Sequence, residues 1–420
     1  MRVCVVGSGA REHALAHVLA RSADVVATPG NPGIDGVSAE GHRLVSTPAP
    51  PEEVDADLFV VGPEAPLVAG LADRLRARGA AVVGPGAAGA ALEGSKAFMK
   101  RLAAAAGVPT ARFGVFDRLD EAEAFLASLP GPYVVKTDGL AAGKGVLVTA
   151  DLAEARADAR AKLSGAAFGD AGRRIVVEEG LEGPELSLLV LCDGRRALPL
   201  PPARDFKRAL DGDAGPNTGG MGAYSPVPDA NAEVVGEVMA RIVEPTLAEL
   251  GRRRIDYRGV LYAGCMLTAA GPVLIEYNVR FGDPEAEVVL PRLRGDVAGL
   301  LHRAATGRLP DACEVADDAA VCVVVASPGY PLAPRLGGAV TGLDEAATVE
   351  GVTVFHAGTR RAADGTLRAG GGRVLAVTAV RPSLAAARAA AYEAVGRIRL
   401  AGATFRRDIG ADAPSEAASR

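Results

Sequence analysis

The chain has 420 residues, room for roughly two to four domains of about 100–200 residues each. A hydrophobic content of 49% can fill large cores, while a net charge of −5 and a pI of 5.7 argue against a nucleic-acid partner. The five cysteines (Cys4, Cys192, Cys265, Cys313, Cys322) form no Cys-x-x-Cys pair, and the strongly apolar run around Val321–Ala326 falls far short of the ~20 residues of a membrane helix, so a soluble protein with buried free thiols is expected.

The N-terminus, MRVCVVGSG, enters a strand and a glycine turn with no signal-peptide pattern, which predicts a cytoplasmic chain. Val3–Val6 is a strand ending at Gly7, and Glu12–Ala20 has helical spacing. Leu58–Gly62 repeats the strand, with a helix near Leu67–Arg78 and a strand at Ala81–Gly84. Strands alternating with helices predict a parallel α/β domain whose ligand edge is marked by Gly7, Gly30, Gly62 and Gly84. Ser95–Ala106 reads as a helix closed by Gly107-Val108-Pro109. Strands follow at Tyr133–Lys136, Arg174–Glu178 and Leu186–Asp193, with a helix at Leu152–Leu163. Arg204 to Tyr224 is polar and glycine-rich and reads as a long functional loop. Val234–Leu250 reads as one amphipathic helix with a solvated arginine end at Arg252–Arg254. Val260–Leu267 and Val273–Tyr277 form a predicted hairpin around Ala270-Gly271. Beyond about Pro310, strands at Ala319–Ala326, Thr353–Gly358 and Arg373–Ala379 and a helix at Leu384–Ile398 predict a small α+β domain, and ADAPSEAASR has a tail's composition.

Three stretches carry chemistry. Gly7-Ser8-Gly9-Ala10-Arg11-Glu12 resembles a dinucleotide fingerprint, but Glu12 stands where that motif needs a small residue. A loop for another phosphate or polar substrate is the better reading. KTDGLAAGKGV, at 136–146, sets two lysines among Gly139, Gly143 and Gly145, which suits a polyphosphate. It is not a Walker A loop, because three residues rather than four separate Gly139 from Gly143-Lys144 and no Ser or Thr follows. In IEYNVRFGDPE, at 275–285, Glu276 and Asn278 share one strand face, with Arg280 beyond and Ile275 and Tyr277 toward the core. A carboxylate beside an amide oxygen suits a hard cation that also takes phosphate oxygens. Alone, KTDGLAAGKGV could be a turn with solvated lysines and IEYNVRFGDPE an amphipathic strand. Together they favour a metal-bound nucleotide.

With GSGAREHA, PGNPG, GPEAPL, LEGSKAF, AFGDAG and GPNTGGMGAYSP, these motifs occur in an order that resembles the glycinamide ribonucleotide synthetase family of ATP-grasp ligases, over about residues 1–410. The resemblance implies an α/β and α+β multidomain chain. Residues 1–98 would form an N-terminal parallel α/β substrate domain and 99–310 an ATP-grasp core with a lid at about 110–180. Residues 311–411 would form a C-terminal α+β domain and 412–420 a flexible tail. It implies an ATP-dependent ligase that joins glycine to phosphoribosylamine through glycyl phosphate in purine synthesis. It also implies a monomer, without nucleic-acid or membrane partners.

By the same resemblance, Lys96 and Lys136 meet the ATP phosphates, and Gly139, Gly143, Lys144 and Gly145 fold over them. Glu178, Glu179 and Leu181 form the adenine hinge, and Glu185 meets ribose. Glu276 and Asn278 hold Mg²⁺ or Mn²⁺. Arg280 and Lys144 attend the transferred phosphoryl group. Gly9, Arg11, Glu12, Asn31, Pro63 and Glu64, with Asp205, Lys207, Asn217, Gly219, Gly220, Met221 and Gly222, frame the substrates. The chain departs from the family at Arg204 and Phe206, where Gln and His are usual, at Pro184, where an acid is usual, and mildly at Ser8 and Ala10. The strand Leu261–Leu267 offers no second carboxylate for metal. Another ATP-grasp ligase or carboxylase is the nearest alternative, ahead of an oxidoreductase or a non-catalytic nucleotide sensor.

Overall fold

The computed structural model describes residues 1–140, 145–165 and 173–411. At the N-terminus a six-stranded sheet runs in the order Gly36–Val37, Arg43–Ser46, Asp24–Pro29, Arg2–Gly7, Leu58–Val61 and Ala81–Val83. All neighbours are parallel except the first pair. Apart from Arg2 and Gly7 at the ends of the first strand, its central strands are apolar and buried, as a sheet covered on both faces requires. The helix expected near Leu67–Arg78 is two helices, Glu64–Val68 and Leu71–Ala77, because Gly70 between them takes φ +77°.

The middle of the chain builds two four-stranded antiparallel sheets. One orders Phe113–Phe116, Ile175–Glu179, Tyr133–Thr137 and Val146–Thr149. Helices Leu119–Ala127 and Leu152–Leu163 pack against it around a separate small core that includes Leu126, Val135, Ile175 and Val177. The other sheet orders Ala197–Pro199, Glu185–Asp193, Arg258–Thr268 and Gly271–Asn278. The expected single helix over Val234–Leu250 is Ala232–Val238 and Glu244–Arg252, joined by a wide turn at Met239–Val243. Pro245 has no N–H to give the regular ladder, and the wide turn absorbs the missing bond.

The C-terminal sheet is antiparallel, in the order Arg204–Asp205, Gly222–Ser225, Ala319–Ala326, Arg373–Arg381 and Val352–His356, with helix Leu384–Arg397 packed on it. Its first two strands come from the stretch that reads as a loop. Between them, Arg208–Leu210 and Ala214–Asn217 pair as a hairpin. The strand partner of Gly222–Ser225 lies about a hundred residues away, beyond any local pattern. The same pairing draws the 204–225 segment to the mouth of the central cleft.

Candidate active site

A cleft of about 1070 Å³ lies between the two antiparallel sheets and reaches both terminal domains. On one wall, alternation along Tyr133–Thr137 turns Val134 and Lys136 to the same face, beside their cross-strand partners Val148 and Val146. Lys136 is only 4% exposed. The Glu178 carboxylate stands between two ammonium groups, with Lys100 Nζ 2.6 Å from Oε2 and Lys136 Nζ 2.8 Å from Oε1. The Lys136 approach is off the hydrogen-bonding direction, so that pair is mainly Coulombic. Burial would raise the Glu178 carboxyl, but Lys136 and Lys100 outweigh it and keep the group ionised. Burial lowers Lys100 to about 8, against the pull of Glu178.

Lys96 lies one turn before Lys100 on the helix Lys96–Ala105 and lines the cleft, its Nζ donating to Gly139 O at 3.4 Å. Ser95 caps that helix by accepting from Phe98 N. Asp138 accepts from Ser95 Oγ and Ala97 N and pairs with Arg174, so the start of the glycine loop is clamped to the helix that carries Lys96. Gly139 takes φ +129°, which side chains rarely adopt. Gly145 lines the cleft. Gly143 and Lys144 lie outside the described residues, as does AFGDAG at 167–172.

The opposite wall is the hairpin. Glu276 pairs with Gly264 and Leu274 with Cys265, which leaves Ile275 as a bulge. The bulge resets the alternation, so Leu274 and Tyr277 are buried while Ile275, Glu276 and Asn278 line the cleft. Ile275 therefore does not join the core as a period-two reading predicts. Beyond them, Arg280 donates to Glu93 Oε1 at 2.8 Å, Glu64 Oε2 at 3.3 Å and Asn278 Oδ1 at 3.2 Å. Burial opposes its charge, but Glu93 and Glu64 outweigh burial and hold it protonated more firmly than usual. Among the described residues no group of three or more His, Cys, Asp or Glu side chains could hold a metal. Glu276 and Asn278 supply two oxygens on one face, a donor set that fits a hard cation when ligand oxygens complete its shell.

At the far end, Lys207 sits between Asp205 and Glu185, at 2.7 and 2.6 Å. Burial drives Asp205 up to about 7, with Lys207 opposing, while Lys207 holds Glu185 below the usual range. Glu285 accepts from Tyr262 Oη at 2.5 Å and Ser187 Oγ at 3.2 Å, at the same end of the cleft. Arg373, from the C-terminal sheet, bonds Gly219 O and pairs with Asp283, and Tyr330 accepts from Gly219 N. Asn217 and Gly219 line the cleft, whereas Met221 is buried and Gly222 lies within its strand. Gly220, at φ +109°, packs on Pro284. Of the departures, Arg204 holds Glu185 O and Asp229, Pro184 accepts from Leu267 N, and Phe206 lies beneath the Arg406 guanidinium, 4.8 Å from its ring centre.

The N-terminal residues divide. Arg11, Pro63 and Glu64 line the cleft. Glu12 caps its own helix by accepting from Gly9 N at 2.6 Å and pairs with Arg11 at 2.6 Å. A Cβ on Gly62 would stand 2.0 Å from the Glu12 carboxylate, so the glycine edge makes room for this side chain. Glu12 and Gly9 border a second hollow of about 630 Å³ with Pro63. Asn31 spends its amide on Ser8 O and His356 O, joining the N- and C-terminal domains. Glu179 and Leu181, expected in the adenine hinge, line the cleft, and Glu179 accepts from Arg112 N. Lys100, Glu93, Tyr262, Glu285 and Arg373 escape the sequence reading. Only Glu285 lies in a motif quoted for its chemistry, and Glu93 in one quoted for resemblance.

Three family models match the chain. They describe the Phosphoribosylglycinamide synthetase N domain at residues 1–93, the ATP-grasp (A) domain at 94–286 and the C domain at 320–412. The chain is 52% identical to a phosphoribosylamine–glycine ligase of Streptomyces coelicolor, over 98% of this chain and 99% of that protein. It is 47% identical to one of Caulobacter vibrioides, over 98% of each. The crystal structure of the Thermotoga maritima phosphoribosylamine–glycine ligase superposes with a TM-score of 0.83 at 34% identity, covering 97% of this chain and all of that one.

Proposed function

The chain belongs to the phosphoribosylglycinamide synthetase family, and from that membership and the geometry of its cleft we propose how its residues divide the work. It is an ATP-dependent ligase of purine biosynthesis that joins glycine to phosphoribosylamine. The observation that carries the division is the pairing of opposite walls: Lys96 and Lys136 face Glu276, Asn278 and Arg280 across one cleft. Lysine ammoniums on one side and oxygen ligands on the other suit the phosphates of ATP with a divalent cation between. Phosphoryl transfer needs mostly positioning and charge stabilisation, which these groups supply.

We assign the reaction two steps. The glycine carboxylate attacks the γ-phosphorus, forming glycyl phosphate and releasing ADP. The amine of phosphoribosylamine then attacks the acyl carbon, the C–N bond forms, phosphate leaves and the nitrogen gives up a proton. Lys96 and Lys136 orient the phosphates, and Arg280, fixed by Glu93 and Glu64, stands beside the moving phosphoryl group. Glu276 and Asn278 would hold Mg²⁺ or Mn²⁺, which when bound offsets charge on the phosphate oxygens. Val134, Val148, Met266 and Ile275 offer apolar surface to adenine beside the Glu179–Leu181 hinge, and Glu185 is within reach of ribose. Asp205, Lys207, Asn217 and Gly219, with Arg11, Pro63 and Glu64, frame the two substrates.

We divide the chain into a substrate domain at 1–98, an ATP-grasp core at 99–310 with its lid at about 110–180, and a C-terminal domain at 311–411. The separate hydrophobic core behind the first central sheet supports the lid as its own unit. Among the described residues no helix is long and apolar enough to cross a membrane. We propose a cytoplasmic monomer, supported by its free thiols, of which Cys4, Cys192, Cys265 and Cys322 are buried, and by its small-molecule substrates. Hydroxylamine added with ATP and glycine, without the amine, should yield glycyl hydroxamate and ADP together. No hydroxamate, and no ADP until the amine is added, would remove the acyl-phosphate route.

A further inference from the structure

Among the described residues Lys100 is the one fully buried lysine of the nucleotide end, and the mechanism above makes no use of it. Its Nζ donates to Thr110 Oγ1 at 2.7 Å and pairs with Glu178 at 2.6 Å. Thr110 in turn donates to Leu274 O on the opposite sheet, so one of the two partners is fixed by backbone that does not depend on ligand. Glu178 has no pairing partner except Lys100 and Lys136 among the described residues. The charge count then decides what ATP would meet. Within this trio two ammoniums and one carboxylate leave a net +1, whereas Lys136 and Glu178 alone would cancel; Glu276, whose charge also acts on Lys100, is the carboxylate assigned above to the cation. In so dry a site the difference is felt strongly, because little water screens it.

We propose that Lys100 is a positioning residue for ATP: its ammonium occupies Glu178 and so leaves Lys136 with a net positive charge to present to the phosphates. The proposal rests on the placement of the phosphates beside Lys136 given above. Lys100 itself touches no ligand and acts through Glu178.

Calorimetric titration of the full chain with ATP, and separately with adenosine, tests this. Lys136→Met is the control for the placement, and it should weaken ATP but not adenosine. Lys100→Met, similar in shape and uncharged, should weaken ATP about tenfold or more and leave adenosine within about twofold. Lys100→Arg should bring ATP back to within about threefold of wild type. The double variant Lys100→Met with Glu178→Gln restores the net +1 on Lys136 and should recover most of the lost ATP affinity. A packing role for Lys100 predicts the reverse, equal losses of ATP and adenosine and a double variant worse than either single one, and would overturn the proposal. Normal ATP binding by Lys100→Met beside an impaired Lys136→Met would overturn it and leave the placement standing. Normal binding by Lys136→Met would remove the placement and the proposal together. If Lys100→Met does not fold, the double variant alone decides: ATP affinity near wild type supports the charge argument, and its loss with adenosine retained sinks it.

Discussion

Replacing Lys136 by alanine changes two things at once. It removes a charge-assisted contact to phosphate worth roughly 1.5–3 kcal/mol, so ATP affinity should fall about 10- to 150-fold. A lysine that merely ended a strand and pointed at its ligand would leave the fold untouched, but Lys136 is buried against Glu178. Its removal leaves that carboxylate on Lys100 alone, so stability should drop by about 1–3 kcal/mol in urea unfolding. Wild-type ATP binding in the variant would remove Lys136 from the phosphate site. Glu276→Gln keeps the shape and deletes one negative charge, so the divalent-ion concentration for half-maximal ADP release should rise severalfold, and excess metal should restore part of the rate. Unchanged metal dependence would reduce Glu276 and Asn278 to an ordinary strand face. These two residues are legible in the sequence because alternation alone puts them together. Ile275 is misread because one bulged residue shifts the phase, and a bulge leaves no mark in composition. Lys100 is hidden for another reason. A lysine four residues after another on an amphipathic helix reads as solvated, and only the tertiary position of Glu178 makes it a core residue.

At the level of elements, those whose partners are near in sequence are the readable ones. The hairpin Arg258–Thr268 with Gly271–Asn278 and the helix Leu152–Leu163 follow from alternation, a glycine turn and alanine-rich spacing. Gly222–Ser225 is readable only with its distant partner in hand, since half its ladder is Ala320–Val323. That strand also explains a glycine that looks like loop chemistry. A Cβ at Gly222 would stand 2.5 Å from Cys322 O and 2.8 Å from Ile409 Cγ1, against backbone and a buried side chain that cannot swing away. Gly222→Ala should therefore destabilise the protein by about 1–3 kcal/mol, read as a lower urea midpoint, and should raise KM for phosphoribosylamine more than KM for ATP. The second effect follows because the strand carries the 215–220 segment that Arg373 and Tyr330 pin at the substrate end. A variant with wild-type stability would mean that this edge of the sheet has slack the close contacts deny.

Over the whole molecule, the N- and C-terminal domains meet at a seam of imidazoles. His13 and His17 lie on the helix Ala10–Leu19, and His356 ends a strand of the C-terminal sheet. His13 Nδ1 accepts from His356 N at 2.9 Å, and Phe355 lies edge-on to His13 and His17. Since Nδ1 is an acceptor there, His13 is neutral in the folded protein. Burial lowers His13 to about 3, helped by His356 and His17, and lowers His356 to about 4, helped by Arg361. His17 is lowered too, by burial and by Arg21, with Glu40 opposing. The sign follows from linkage. Unfolded histidine binds its proton near pH 6.5, whereas the folded seam refuses it until pH 3–4, so acid favours the unfolded chain. The stability is fully present above pH 6.5 and is lost as the pH falls toward 4. Each neutral imidazole contributes a slope of up to about 1.4 kcal/mol per pH unit in that window. Paired carboxylates add acid sensitivity of their own chiefly below about pH 4.5. Asp205, raised to about 7, and Glu287 and Glu93, raised by burial, take up protons in the folded state and oppose the histidines, so the seam is read from the difference between wild type and a variant without the His13 imidazole. Thermal unfolding midpoints taken every half unit from pH 6.5 to 4.5 should fall more steeply in the wild type than in a variant without the His13 imidazole. His13→Asn keeps an acceptor for His356 N and cannot titrate; it should start less stable, for lack of the ring, and decline less steeply. An unchanged slope in His13→Asn would mean that the seam takes up its protons while folded and that the two domains are not held together by neutral imidazole.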